Sequence, residues 1–81
     1  MENNNIFFTI SIPKGMLDNN YTFYENGRVE HFYDKNNYSL NITEWIEAKD
    51  IRYSDKQVIL ENCDENLKER LSELMEMNLN S

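Results

Sequence analysis

The sequence predicts an α+β fold, a small antiparallel sheet of three or four strands packed against two or three C-terminal helices. Three patterns predict it. Apolar and polar residues alternate from Ile6 to Ile12, the period of a half-buried strand. Asn26-Gly27 separates two β-rich runs between Tyr21 and Tyr33, a strong short-range hairpin signal. In the last third, Leu60, Cys63, Leu67, Leu71 and Leu74 recur at steps of three and four, which places them on one stripe of a helix.

Residues 1–5 read as a flexible N-terminus. In the first strand Ile6, Phe8, Ile10 and Ile12 point one way and Phe7, Thr9 and Ser11 the other, and Pro13 and Gly15 end it. The following loop, 14–19, is expected to tuck Met16 and Leu17 under the sheet edge. Asn-Gly tolerates the positive φ angles of a two-residue type I′ turn, so Glu25 should face Arg28, Tyr24 Val29, Thr22 His31 and Tyr21 Phe32. Phe23 and Phe32 then share one face, and Tyr24, Val29 and Tyr33 the other. Both faces carry aromatic surface, and the less covered one is a candidate contact surface. The run Phe23 to Val29 resembles one unit of the tyrosine- and glycine-containing hairpin repeat modules; it occurs once, and no function is taken from it.

Asp34-Lys35-Asn36-Asn37 is a polar turn, after which Tyr38, Leu40 and Ile42 alternate as a short strand. A helix is expected next, N-capped by Asn41 with Glu44 three residues on, burying Ile42, Trp45 and Ile46 and ending at Lys49-Asp50. Ser54 and Gln57 have capping-box spacing, so a further helix should start at Asp55. Asp64 lies near the apolar stripe, where a continuous helix would press a carboxylate toward the core. A break is therefore predicted there, with Asp64 as N-cap of a last helix to about Met77; the rival reading makes 57–60 a strand. Polar Asn78 ends the stripe, and Met75, Met77 and Leu79 spread around the wheel as a frayed apolar end. The whole of 1–81 reads as one domain, 6–42 mainly β and 43–78 mainly α.

Eighty-one residues bury only about 60 to 65% of their unfolded surface, which suits one small core. Eight basic against fifteen acidic side chains give a formal charge of −7, which opposes nucleic-acid phosphates and anionic membranes and favours a basic protein partner. No run approaches the ~20 apolar residues of a membrane helix, and Met1 to Asn5 carries no basic flank of a secretory signal. With Cys63 the sole cysteine, the expected compartment is the cytoplasm, or a host cytoplasm.

No catalytic, metal or cofactor motif stands out. His31, the one imidazole, is expected opposite Thr22 with no carboxylate or second ligand at a useful spacing. Cys63 lies on the apolar stripe as a small buried hydrophobe, and one cysteine with one histidine cannot build a four-ligand zinc site. Asp34-Lys35-Asn36-Asn37 lacks the glycine and closing glutamate of a calcium loop. Two glycines in the chain leave no phosphate-cradling loop.

What does stand out is a ridge of carboxylates opposite the apolar stripe: Glu61, Glu65, Glu69, Glu73 and Glu76. Like charges three and four apart weaken a helix slightly, so a surface that keeps them fits a basic partner. The sequence therefore predicts a non-enzymatic, intracellular protein-binding module, an inhibitor or immunity- or anti-defence-type protein of prokaryotic or phage kind that blocks a basic site. Glu61, Glu65, Glu69 and Glu73 would supply steering and rim contacts, and Tyr24 and Tyr33 the anchors. The alternative is a homodimeric accessory or assembly subunit joined through its sheet edge or C-terminal helix.

Overall fold

A computed structural model describes residues 5–77. The fold is α+β: strands β1 (Ile6–Ser11), β2 (Asn19–Tyr24), β3 (Arg28–Tyr33) and β4 (Ile42–Glu47), then one 3-10 turn (Ala48–Asp50), α1 (Tyr53–Asn62) and α2 (Glu65–Leu74). The strands form an open antiparallel sheet in the order β1-β2-β3-β4. By density of contacts the chain divides between Ile46 and Glu47 into a sheet unit and a helical unit.

The β2–β3 hairpin forms where Asn26-Gly27 predicts, but one residue out of the expected register. Phe23 pairs with Val29, Thr22 with Glu30, Tyr21 with His31 and Asn20 with Phe32. The turn chemistry explains the shift. A type I′ turn needs positive φ at both central residues, and here Gly27 alone is positive, at 90°. Gly27 N–H donates to the Tyr24 carbonyl at 2.9 Å, and Arg28 N–H to Asn26 Oδ1 at 3.0 Å. Glu25-Asn26-Gly27 is thus a three-residue loop, a type I turn closed by a glycine bulge, with the Asn26 side chain satisfying the N–H that the bulge leaves over. Because side chains alternate, the slip reassigns every face of β3 relative to β2. Val29, His31 and Tyr33 now lie with Tyr21 and Phe23, while Tyr24 is separated from Val29 and Tyr33.

A second irregularity corrects β1. Ile6 pairs with Tyr24 but Phe8 with Phe23, so an extra residue bulges between them. Phe8, Ile10 and Ile12 keep one side as expected, whereas Ile6 is turned outward and 54% exposed. Phe7 instead meets the edge of the Phe23 ring, centroids 6.1 Å apart, and Phe8 packs on the same ring at 5.8 Å. Tyr21, Phe23 and Val29 are buried.

Two tight turns close the other end of the sheet. Lys14-Gly15-Met16-Leu17 is a type II′ hairpin loop, with Gly15 at φ 64° in its first central position and paired N–H···O bonds between Lys14 and Leu17. It leaves Met16 at the tip 99% exposed rather than tucked under the edge. Asn36-Asn37-Tyr38-Ser39 is the second, its Asn36 Oδ1 accepting from the N–H of Tyr38 and Ser39, so Tyr38 is exposed in a turn and not in a strand. Asp34 ties both loops: its carboxylate accepts from Asp18 N–H at 2.9 Å and Asn41 N–H at 2.8 Å. Those two bonds hold the Asp34 carboxyl below the usual carboxylate range, Asn41 having the larger effect.

The expected helix over 42–49 is a strand. Asn41 takes φ 57°, outside the extended backbone an N-cap requires, and Ile42-Thr43-Glu44-Trp45-Ile46-Glu47 continues as β4 beside β3. The spacing of Ile42, Trp45 and Ile46 is helical, but Ile42, Thr43, Trp45 and Ile46 are β-branched or aromatic and suit a strand, and pairing with β3 satisfies the segment's backbone.

In the helical unit, the break falls at Cys63-Asp64 with Asp64 as the α2 N-cap, as expected. Residues 57–60 are helical. The first helix starts at Tyr53, two residues earlier than predicted, with Arg52 as N-cap and no side-chain capping bond. Ala48, Ile51, Ile59, Leu60, Leu71 and Met75 are buried, so Met75 belongs to the core and not to a frayed end. Asp55 is buried too, 2% exposed, near the positive end of α1. The α2 terminus is a Schellman motif: Met77 N–H donates to Ser72 and Glu76 N–H to Glu73, with Glu76 in the left-handed position at φ 56°. Leu79 lies outside the described residues.

Candidate functional site: an open aromatic face and an acidic helix

The two faces of the sheet differ sharply. One buries Tyr21, Phe23 and Val29. On the other, Thr9, Ser11, Arg28, Thr43 and Trp45 are exposed, and Thr22 and Tyr24 half-buried. A cluster crosses this open face near the Asn-Gly hairpin. The Tyr24 and Trp45 rings lie 5.3 Å apart at 49°, and the Arg28 guanidinium sits 5.1 Å from the Trp45 ring centre. Ile6 belongs to the same face through its pairing with Tyr24. Trp45 keeps 49% of its surface exposed, so the cluster presents tryptophan, tyrosine and arginine, the side chains that dominate binding hot spots.

Tyr33 lies on the opposite face, so the two anchors expected to act together do not. It stacks on His31 at 4.3 Å, and Tyr21 stacks on the other side of the imidazole at 4.4 Å, nearly parallel. His31 Nε2 lies 2.6 Å from Asn19 Oδ1. Because the Asn19 amide nitrogen donates to the Ile12 carbonyl, its oxygen is the acceptor and Nε2 carries the proton. Nδ1 lies 3.7 Å from Glu44, an ion pair when the imidazole is protonated. The ring is thus stacked on both faces and hydrogen-bonded at Nε2, with Glu44 near Nδ1. Sequence reasoning missed Glu44 because it put that residue on a helix; Glu44 reaches His31 only because 42–47 is a strand beside β3.

Of the ridge, Glu65, Glu69 and Glu73 follow one another at four-residue spacing along α2 and are exposed on one face. Glu61 is exposed as well, but on α1, a separate helix axis beyond the break. Among the described residues, none of these four takes part in an ion pair. Glu76 differs, being at the C-terminal turn in the field of Lys49, whose own pKa is raised chiefly by Glu47 at 3.4 Å.

Cys63 is half-buried at the α1–α2 break, its Sγ directed at the Leu60 carbonyl at 3.6 Å. Burial pushes its thiol pKa up; Lys68 opposes that, and Asp64 and Glu65 add to it. Among the described residues no group of three or more His, Cys, Asp or Glu side chains is placed to hold a metal ion. A shallow depression of about 450 Å³ over β1 and β2 is lined by Thr9, Ile10, Ser11, Asn20, Tyr21 and Thr22. No helix of the described residues is long and apolar enough to cross a membrane. No family model, no curated protein and no solved structure matches the chain.

Proposed function

We propose that the protein is a small acidic intracellular module that binds a basic protein, acting without catalysis as an inhibitor or as an immunity- or anti-defence-type protein. The observation that carries this reading is the Tyr24–Trp45–Arg28 cluster on the open sheet face, with Trp45 and Arg28 exposed and Tyr24 half-buried. A half-exposed tryptophan braced by a tyrosine and an arginine adds little to a small core but much to a desolvated contact. The charge of −7 and the exposed Glu65, Glu69 and Glu73 favour a basic partner and speed its approach. Tyr24 and Trp45 act as anchors here, and Tyr33 leaves the contact set for the His31 stack.

Affinity capture from lysate with the full chain immobilised tests the reading. Trp45→Ala should raise the partner's dissociation rate by roughly tenfold or more, the usual cost of a hot-spot tryptophan. Glu65→Lys with Glu69→Lys and Glu73→Lys should slow association and remove its salt dependence. Capture that survives both sets unchanged sinks the reading.

A further inference from the structure

The two edges of the sheet are built differently. β4 carries Glu44 and Glu47, with Lys49 just beyond, the charges that discourage strand addition. β1, Ile-Phe-Phe-Thr-Ile-Ser, carries no charge, and no acidic residue occurs from Ile6 to Leu17 in a chain of net charge −7. Its outer hydrogen-bonding groups can be identified. Ile12 N–H bonds to the Asn19 carbonyl on β2, and antiparallel ladders alternate, so Ile10 and Phe8 also face β2 while Thr9 and Ser11 turn their N–H and C=O outward. Thr9 and Ser11 are exposed and have no further hydrogen bond within the described residues.

We propose that β1 pairs antiparallel with β1 of a second copy of this chain, joining two four-stranded sheets edge to edge. The sequence of β1 is self-complementary about Ile10. With Ile10 opposite its symmetry mate, Thr9 faces Ser11 of the second copy and Phe8 faces Ile12, so hydroxyls meet hydroxyls and apolar groups meet apolar groups. Each copy then offers two donors and two acceptors, which close a ladder of four N–H···O bonds. The alternative centre at Thr9 would oppose Ser11 to Phe7, where the bulge disrupts the edge. A second copy meets no carboxylate along this strand, whereas the acidic α2 repels one. Phe8 and Ile10 remain half-buried beside the buried Tyr21 and Phe23, and pairing would cover them. The inference is independent of the partner-binding face and fails separately from it.

Sedimentation equilibrium of the full chain, with amide exchange followed by NMR over a range of concentrations, tests it. The expected result is a concentration-dependent dimer in which Thr9 and Ser11 amides become protected. Thr9→Lys with Ser11→Lys puts lysine opposite lysine across the two-fold axis on the open face, and should weaken association by about tenfold or more with the monomer fold retained. Thr9→Pro deletes one outward N–H per copy without touching the β2 ladder, and should do the same. A monomer at millimolar concentration with freely exchanging Thr9 and Ser11 amides overturns the proposal. So does a dimer that both variants leave intact.

Discussion

The buried and open faces of the sheet around the β2–β3 hairpin use similar residue types for different ends. On the buried face Tyr21, Phe23, Val29, His31 and Tyr33 form a continuous set, with Val29 and Phe23 almost wholly removed from water and the imidazole held between two tyrosines. On the open face Tyr24, Trp45 and Arg28 brace one another in solvent. Aromatic content therefore does not separate core from exposed surface in this chain; the one-residue register set by the turn does.

Truncating one ring on each face gives the largest contrast. Phe23→Ala removes a side chain packed by Phe7 and Phe8 and should cost about 3–5 kcal/mol of unfolding free energy in denaturant titration, enough to threaten so small a fold. Gly27→Ala comes next. A Cβ there meets nothing within 4 Å, so the whole effect is left-handed backbone strain, about 1–2 kcal/mol in the same titration. Trp45→Ala should cost less than about 1 kcal/mol while weakening partner capture. If Trp45→Ala destabilised the fold as much as Phe23→Ala, the distinction between the faces would fail.

The smallest effect concerns the loops that hold the strand ends. The Asp34 carboxyl has a folded-state pKa below its ordinary 3.8, so its contribution to stability is present above that value and lost as pH falls through the lower folded one. Melting temperature followed from about pH 5 down to about pH 2 should fall more steeply for the natural chain than for Asp34→Asn. Identical acid limbs would show that the Asp34 bonds to Asp18 and Asn41 do not matter to the fold.

Local pattern was enough to place most elements. Alternation located β1, Asn-Gly located the hairpin, and the stray Asp64 on an apolar stripe located the break between α1 and α2. Each of these signals acts over a few residues, where covalent geometry and burial period decide. The segment 42–47 defeated the same reasoning because the spacing of Ile42, Trp45 and Ile46 is helical while its β-branched and aromatic side chains suit a strand, and the choice rests on pairing with β3, which is far from a local matter.

The candidate site was half legible for the same reason. Tyr24 and the α2 glutamates were visible as residue types at helical or hairpin spacing. Trp45 and Arg28 joining Tyr24, Glu44 reaching His31, and Tyr33 leaving for the other face were not, since each depends on which strand neighbours which and in what register.

By itself, then, the sequence determined the α+β class, the acid excess, the charge-free first strand and the helical break, all properties of composition and short-range period. Tertiary structure alone decided the bulge at Phe7, the three-residue hairpin loop and the strand fate of 42–47. Those rest on small differences in turn conformation and on long-range pairing, and in a sheet a shift of one residue moves a side chain from the core to water.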